Sequence, residues 1–156
     1  MEKKFELTDK FVFNTFGIKL FQIKCTKSFK YAKEGDLGGY VEKDENLDQE
    51  SDAWVFGDAW VFGNARVSGD AQVSGDADIE NDNNHCGFDC FGSCNRHTHA
   101  YLTKDNKVEI TCGCFRGSIE EFEKKVEKTH SGTIYEKQYK AIINVIKIKF
   151  GLTDLI

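Results

Sequence analysis

Through the middle of this chain one alanine follows another every six residues, and that period constrains the fold more than any other feature. From Asp52 the sequence reads DAWVFG, DAWVFG, NARVSG, DAQVSG, DADI, which sets Ala at 53, 59, 65, 71 and 77 and Val at 55, 61, 67 and 73, with Ile79 in the next equivalent place. Gly57, Gly63, Gly69 and Gly75 are each followed by Asp or Asn, residue types that accept positive φ at a corner. A period of six suits neither a helix nor a simple hairpin. It predicts a β-helix in which each unit makes one short strand and one corner, three units closing a coil of about 18 residues. Val55 then stacks on Val73 and Val61 on Ile79, with small Ala filling the corners. Val41 and Leu47 extend the inward series upstream, with a two-residue insertion before Val55. Seven units give little more than two coils, so both ends need caps or a partner.

Residues beside each Val are predicted to point outward, which places Trp54, Phe56, Trp60 and Phe62 on the exterior at one end of the stack. Four bare aromatics exceed what a soluble monomer usually exposes. They are therefore expected to be covered by the chain's own flanking segments, by a subunit interface, or by a stacked base or sugar. As a partner- or self-binding site, these four residues are the leading candidates.

Charge divides the chain in the same places. Between Glu34 and Asp82 fourteen acids face two bases, whereas residues 1–33 carry +5 and residues 83–156 carry +2, for a total of −5. Phosphate binding needs clustered Lys and Arg, so the acidic middle is not expected to contact nucleic acid. The start, MEKKFELTDKF, has no apolar stretch of a secretion signal, and no run of about 18 apolar residues occurs. A cytoplasmic, membrane-free protein is the expectation, with its six cysteines as reduced thiols or metal ligands.

The flanks are predicted to act as caps. Residues 1–36 form two or three short strands that close the stack, residues 37–82 form the repeat, and residues 83–156 form an α+β module. In that module the stretches RHTHAYLT and VEITCGCF make a hairpin over 96–115 with Asp105 and Asn106 at its tip. Capping patterns at Ser118/Glu121 and Thr133/Glu136 open helices over about 118–130 and 134–150, each with one apolar stripe.

The runs GDLGGYVEKDENL, AWVFGDAWVFGNARVSGDA and GSCNRHTHAYLTKDNKVEITCGCFRGSIEEFEKKVEKTH together resemble a family of phage and prophage proteins described as polymer-forming or hexapeptide-repeat β-helix proteins. The resemblance implies a mainly β fold, a short left-handed β-helix with an α+β cap, in a phage-encoded protein of the bacterial cytoplasm. Handedness comes from the resemblance alone, because most parallel crossovers are right-handed.

A two-residue turn at Asp105 and Asn106 would set His99 opposite Cys112 and His97 opposite Cys114, a square of two His and two Cys suited to tetrahedral zinc. His85, Cys86, Cys90 and Cys94 lie upstream and offer substitutes for one corner. Against this, the spacing matches no standard zinc finger, and reduced cysteines on an apolar face pack as small hydrophobic residues. Two enzyme readings are weaker still. A hexapeptide acyltransferase needs a histidine base, and no His lies within the repeat. A nucleophilic Cys112–His99 pair needs a third, orienting group. The expectation is a non-enzymatic protein-binding or assembly module, homo-oligomeric or bound to another protein, with an inhibitor of a bacterial defence system such as an anti-CRISPR as its narrower form. The alternative is a zinc-stabilised or small-ligand or nucleotide-binding module.

Overall fold

Residues 2–152 are described by a computed structural model. The chain opens with β1 (Phe5–Phe13), β2 (Lys19–Cys25) and β3 (Leu37–Val41), and the six-residue units follow with four strands of two residues each. These are β4 (Trp54–Val55), β5 (Trp60–Val61), β6 (Gln72–Val73) and β7 (Asp78–Ile79). The C-terminal part holds β8 (His85–Phe91), β9 (Arg96–Leu102), β10 (Val108–Cys112), β11 (Phe115–Ser118), α1 (Ile119–His130) and α2 (Ile134–Lys149).

The fold is α+β with three sheets, and the predicted left-handed β-helix of hexapeptide repeats is not formed. One mixed sheet has the order β1-β2-β3-β5-β7, a two-stranded parallel sheet pairs β4 with β6, and an antiparallel sheet has the order β11-β10-β9-β8. The six-residue units do pair in parallel at the predicted separation, Val55 with Val73 and Val61 with Ile79. Two features stop them from making a solenoid. The third row of units contributes only the single bridge Leu47–Val67. In addition, β3 takes antiparallel β2 as its other neighbour, so the β1–β2 hairpin continues that row as a mixed sheet. A chain with so few units satisfies its strand edges more readily with a hairpin than with another turn of itself.

Within this arrangement Val41, Leu47, Val55, Val61, Val67, Val73 and Ile79 all lie in one core with the five alanines of the repeat. The four glycine corners have φ between +59° and +67°. A second core lies between the C-terminal sheet and the helices, where Ala100, Ile110 and Cys112 meet Ile119, Phe122, Val126, Tyr139, Ile142, Ile143 and Ile146. Ser118 and Glu121 make the reciprocal capping box of α1, and the Thr133 side chain accepts from the Glu136 amide at the start of α2. No helix among the described residues is long and apolar enough to cross a membrane.

Of the four aromatics predicted to form an outward docking surface, Trp54 and Phe62 are buried under the chain's own N-terminal segment, and Phe56 and Trp60 are half-buried. Trp54 is 1% exposed, held between Phe5 at 6.3 Å and Phe29 at 5.2 Å between ring centres. Phe62 is buried with Leu20 and Tyr40 beneath the β1–β2 hairpin. Phe56 packs edge-on against Tyr31, and the half-buried Trp60 carries the Lys104 ammonium 3.9 Å above its ring. The reason lies in the hairpin's inner face, whose Val12, Ile18 and Leu20 need an apolar floor, and Trp60 and Phe62 supply it.

Lys4 fastens the same segment. It is 4% exposed, and its Nζ donates to the carbonyls of Ser51 at 2.5 Å and Ala53 at 2.6 Å. Burial lowers its pKa from the ordinary 10.5 to about 8, against the opposing pull of Asp48 and Asp52. Above about pH 8 the unfolded chain therefore keeps a proton that the folded chain has released, so stability rises with pH up to the unfolded value. Between pH 8 and pH 10 the urea midpoint of the native protein is expected to gain on that of Lys4→Met; equal slopes would remove Lys4 as the source.

Candidate functional site

The Cys and His residues were expected to meet across the β9–β10 hairpin, and the register decides otherwise. Thr103 and Lys107 bond to each other, so the turn holds three residues, Lys104 to Asn106, with Asn106 at φ +61°. Each pairing moves by one: His99 faces Thr111, and Cys112 faces Thr98. A one-residue slip puts alternate side chains on opposite faces. Cys112 therefore lies on the helix side, where Thr98 Oγ1 donates to its Sγ at 3.2 Å and Tyr139 Oη approaches at 3.7 Å. His97 and His99 lie on the other face with Tyr101. The zinc square of His97, His99, Cys112 and Cys114 is not assembled, and neither is a Cys112–His99 nucleophile pair.

What the slip creates is a chain of histidines. His85, opening β8, joins His99 through Nδ1 to Nε2 at 2.8 Å, and His97 Nε2 meets His99 Nδ1 at 2.9 Å. Carboxylates close both ends, Asp82 on His85 Nε2 at 2.9 Å and Asp89 on His97 Nδ1 at 2.5 Å. Gly87 makes room for it, because a Cβ there would stand 2.6 Å from His97 Cε1 and 2.8 Å from His99 Nδ1. A glycine within a strand is the sequence sign of such a close approach, and His85, which spacing offered only as a substitute corner, is the third member of the chain.

All six ring nitrogens in this chain are engaged. Among the described residues no group of three or more His, Cys, Asp or Glu side chains converges to hold an ion. Burial pushes the His99 pKa well below the ordinary value, and His85 and His97 reinforce that shift. Burial raises the Asp82 carboxyl, but bonds from His85 and the Arg66 amide outweigh it and hold the carboxyl low.

Beside His97 lies a cleft of about 720 Å³ between the repeat and the C-terminal sheet. Its floor is tied by Thr111 Oγ1 donating to the Gln72 carbonyl at 2.7 Å and Gln72 Nε2 donating to the Gly113 carbonyl at 3.3 Å. Tyr31, Phe56, Arg96 and Arg116 line it. Cys94 and Cys114 border this cleft and share a smaller cavity of about 330 Å³ with Cys112 next to α1. All six cysteines are free thiols. Hydrogen bonds from Ser93 and Arg96 lower the exposed Cys94 thiol, and burial raises Cys86.

A different surface stands out at the N-terminal end. On the outer face of the β1–β2 hairpin, Phe11 is 44% and Phe13 59% exposed, and Phe16 in the turn is 77% exposed. Phe11 packs edge-on against Phe13 and Phe21, and Lys19 Nζ sits 4.0 Å above the Phe11 ring. Both faces of the hairpin are apolar, one buried and one bare.

No protein-family model matches the chain, and no curated protein matches it either.

Proposed function

We propose that the chain is a non-enzymatic protein-binding module that docks through the outer face of the β1–β2 hairpin. The observation that carries this reading is the exposure of Phe11, Phe13 and Phe16 on an element whose opposite face is already used to cover Trp60 and Phe62. Clustered exposed aromatics mark interaction sites in soluble proteins, and aromatic side chains dominate binding energy where they do. Lys19 accompanies them, which suits a partner with acidic groups around an apolar patch. Following the resemblance to phage proteins, the partner class is a host protein, with a component of a bacterial defence system as the narrower case.

Photo-crosslinking in bacterial cells tests the reading. A crosslinking residue at Phe13 or Phe16 is expected to give one discrete adduct with another protein, while the same residue at the exposed Lys128 gives none. Phe13→Ser combined with Phe16→Ser is expected to abolish the adduct formed from Phe11 without lowering the melting temperature. Absence of an adduct, or one that survives the double substitution, would overturn the proposal.

A further inference from the structure

The cleft beside β9 has a composition that the docking hairpin does not explain. Small-molecule sites are concave, largely apolar, and carry a few convergent polar groups within roughly 300–1,000 Å³. Here one wall presents an aromatic pair, Tyr31 and Phe56, with ring centres 6.3 Å apart. The cleft is also lined by cations, and they are not equivalent. Arg116 pairs with Glu109 at 3.3 Å, and Lys30 pairs with Asp70 at 3.3 Å. Arg96 has no carboxylate partner among the described residues. Its polar neighbour is the Cys94 thiol. Its guanidinium lies across the β10–β11 turn, so close over Gly113 that a Cβ there would overlap it, and Gly113 is also at φ +58°. The turn thus holds a cation of planar, forked geometry at the cleft wall.

We propose that this cleft binds a small ligand joining a planar ring to one anionic group, with a mononucleotide as the type case, the ring resting on Tyr31 and Phe56 and the anion on Arg96. Ring stacking and charge pairing are separable contributions, so each has its own probe. The Ser74 and Gln72 side chains supply neutral hydrogen-bonding groups in the same cleft.

Isothermal titration calorimetry of the full chain tests this with AMP, adenosine, inorganic phosphate and indole-3-carboxylate. AMP is expected to bind at one site per chain, with adenosine and phosphate each at least ten-fold weaker. Arg96→Gln is expected to weaken AMP at least ten-fold and Tyr31→Ala several-fold, with both variants melting within a few degrees of the native protein. Tighter binding of indole-3-carboxylate than of AMP, with the same dependence on Arg96 and Tyr31, keeps the ring-plus-anion chemistry and assigns the anion as a carboxylate. Absence of saturable binding of either ring anion up to millimolar concentration overturns the proposal. So does phosphate binding as tight as AMP, or AMP binding indifferent to both substitutions. The Phe13→Ser, Phe16→Ser chain is expected to bind AMP normally, so failure of the hairpin reading and failure of this one are distinguishable.

Discussion

Aspartate in place of Val61 is expected to unfold the protein. Val61 is wholly buried, and its strand lies between β3 and β7, where it pairs with Val41 on one side and Ile79 on the other. It lies in one apolar core with the other valines and the alanines of the repeat. An unpaired charge in such a place costs several kcal/mol even after it takes up a proton, which is comparable to the whole stability of a small domain. Val67→Asp should act in the same way, because Val67 is wholly buried in the same core. Ser68→Asp is the control: Ser68 is exposed and its neighbour Val67 is not, so the same charge one position along is expected to change the melting temperature little. Circular dichroism melts of the three variants decide it. Cooperative melting of Val61→Asp at the native temperature would mean that the row of valines is not the core.

That contrast also shows what the amino-acid sequence encoded legibly. Glycine-marked units of equal length fix how much chain returns to the same place, so the pairs Val55–Val73 and Val61–Ile79 could be read from spacing. Capping residues Ser118 and Thr133 announced their helices because a helix start has a local chemical requirement. The sheet topology had no such local signature. Whether β3 takes another six-residue unit or the β2 strand as its second neighbour is a choice between distant segments, and the β1–β2 hairpin wins it by burying Leu20 against Tyr40 and Phe62. The same choice buried Phe62, one of the aromatics that looked like a docking surface, and left Phe13 and Phe16 bare. The histidine site was lost through a single residue: a turn of two puts His99 opposite Cys112, a turn of three puts it opposite Thr111, and the bonding between Thr103 and Lys107 selects the second.

The histidine chain makes a second large effect, in the pH dependence of stability. His99 is 4% exposed and bonded on both sides to other imidazoles, and its burial holds its pKa well below the ordinary value near 6.5. The groups facing it are His85 with Asp82 from one side and His97 with Asp89 from the other, while β10 presents only the hydroxyl of Thr111. Above pH 6.5 His99 is neutral in both the folded and the unfolded chain, so nothing is lost. As pH falls below that value, the unfolded chain binds a proton at this position that the folded chain refuses, and stability drops by up to about 1.4 kcal/mol per pH unit for that proton. Urea unfolding of the native protein at pH 7.5, 6.5 and 5.5 is therefore expected to show a midpoint that declines toward acid. His99→Gln keeps hydrogen-bonding capacity at the centre of the chain but removes the titrating ring. It should start less stable at pH 7.5, because a glutamine amide cannot join both neighbours in the same line, and then lose less between pH 6.5 and 5.5. Carboxylates titrate below this window, so their contribution is common to both proteins. Parallel decline of the two midpoints would show that His99 accepts its proton as easily folded as unfolded, and the closed chain of imidazoles would then have no hold on stability.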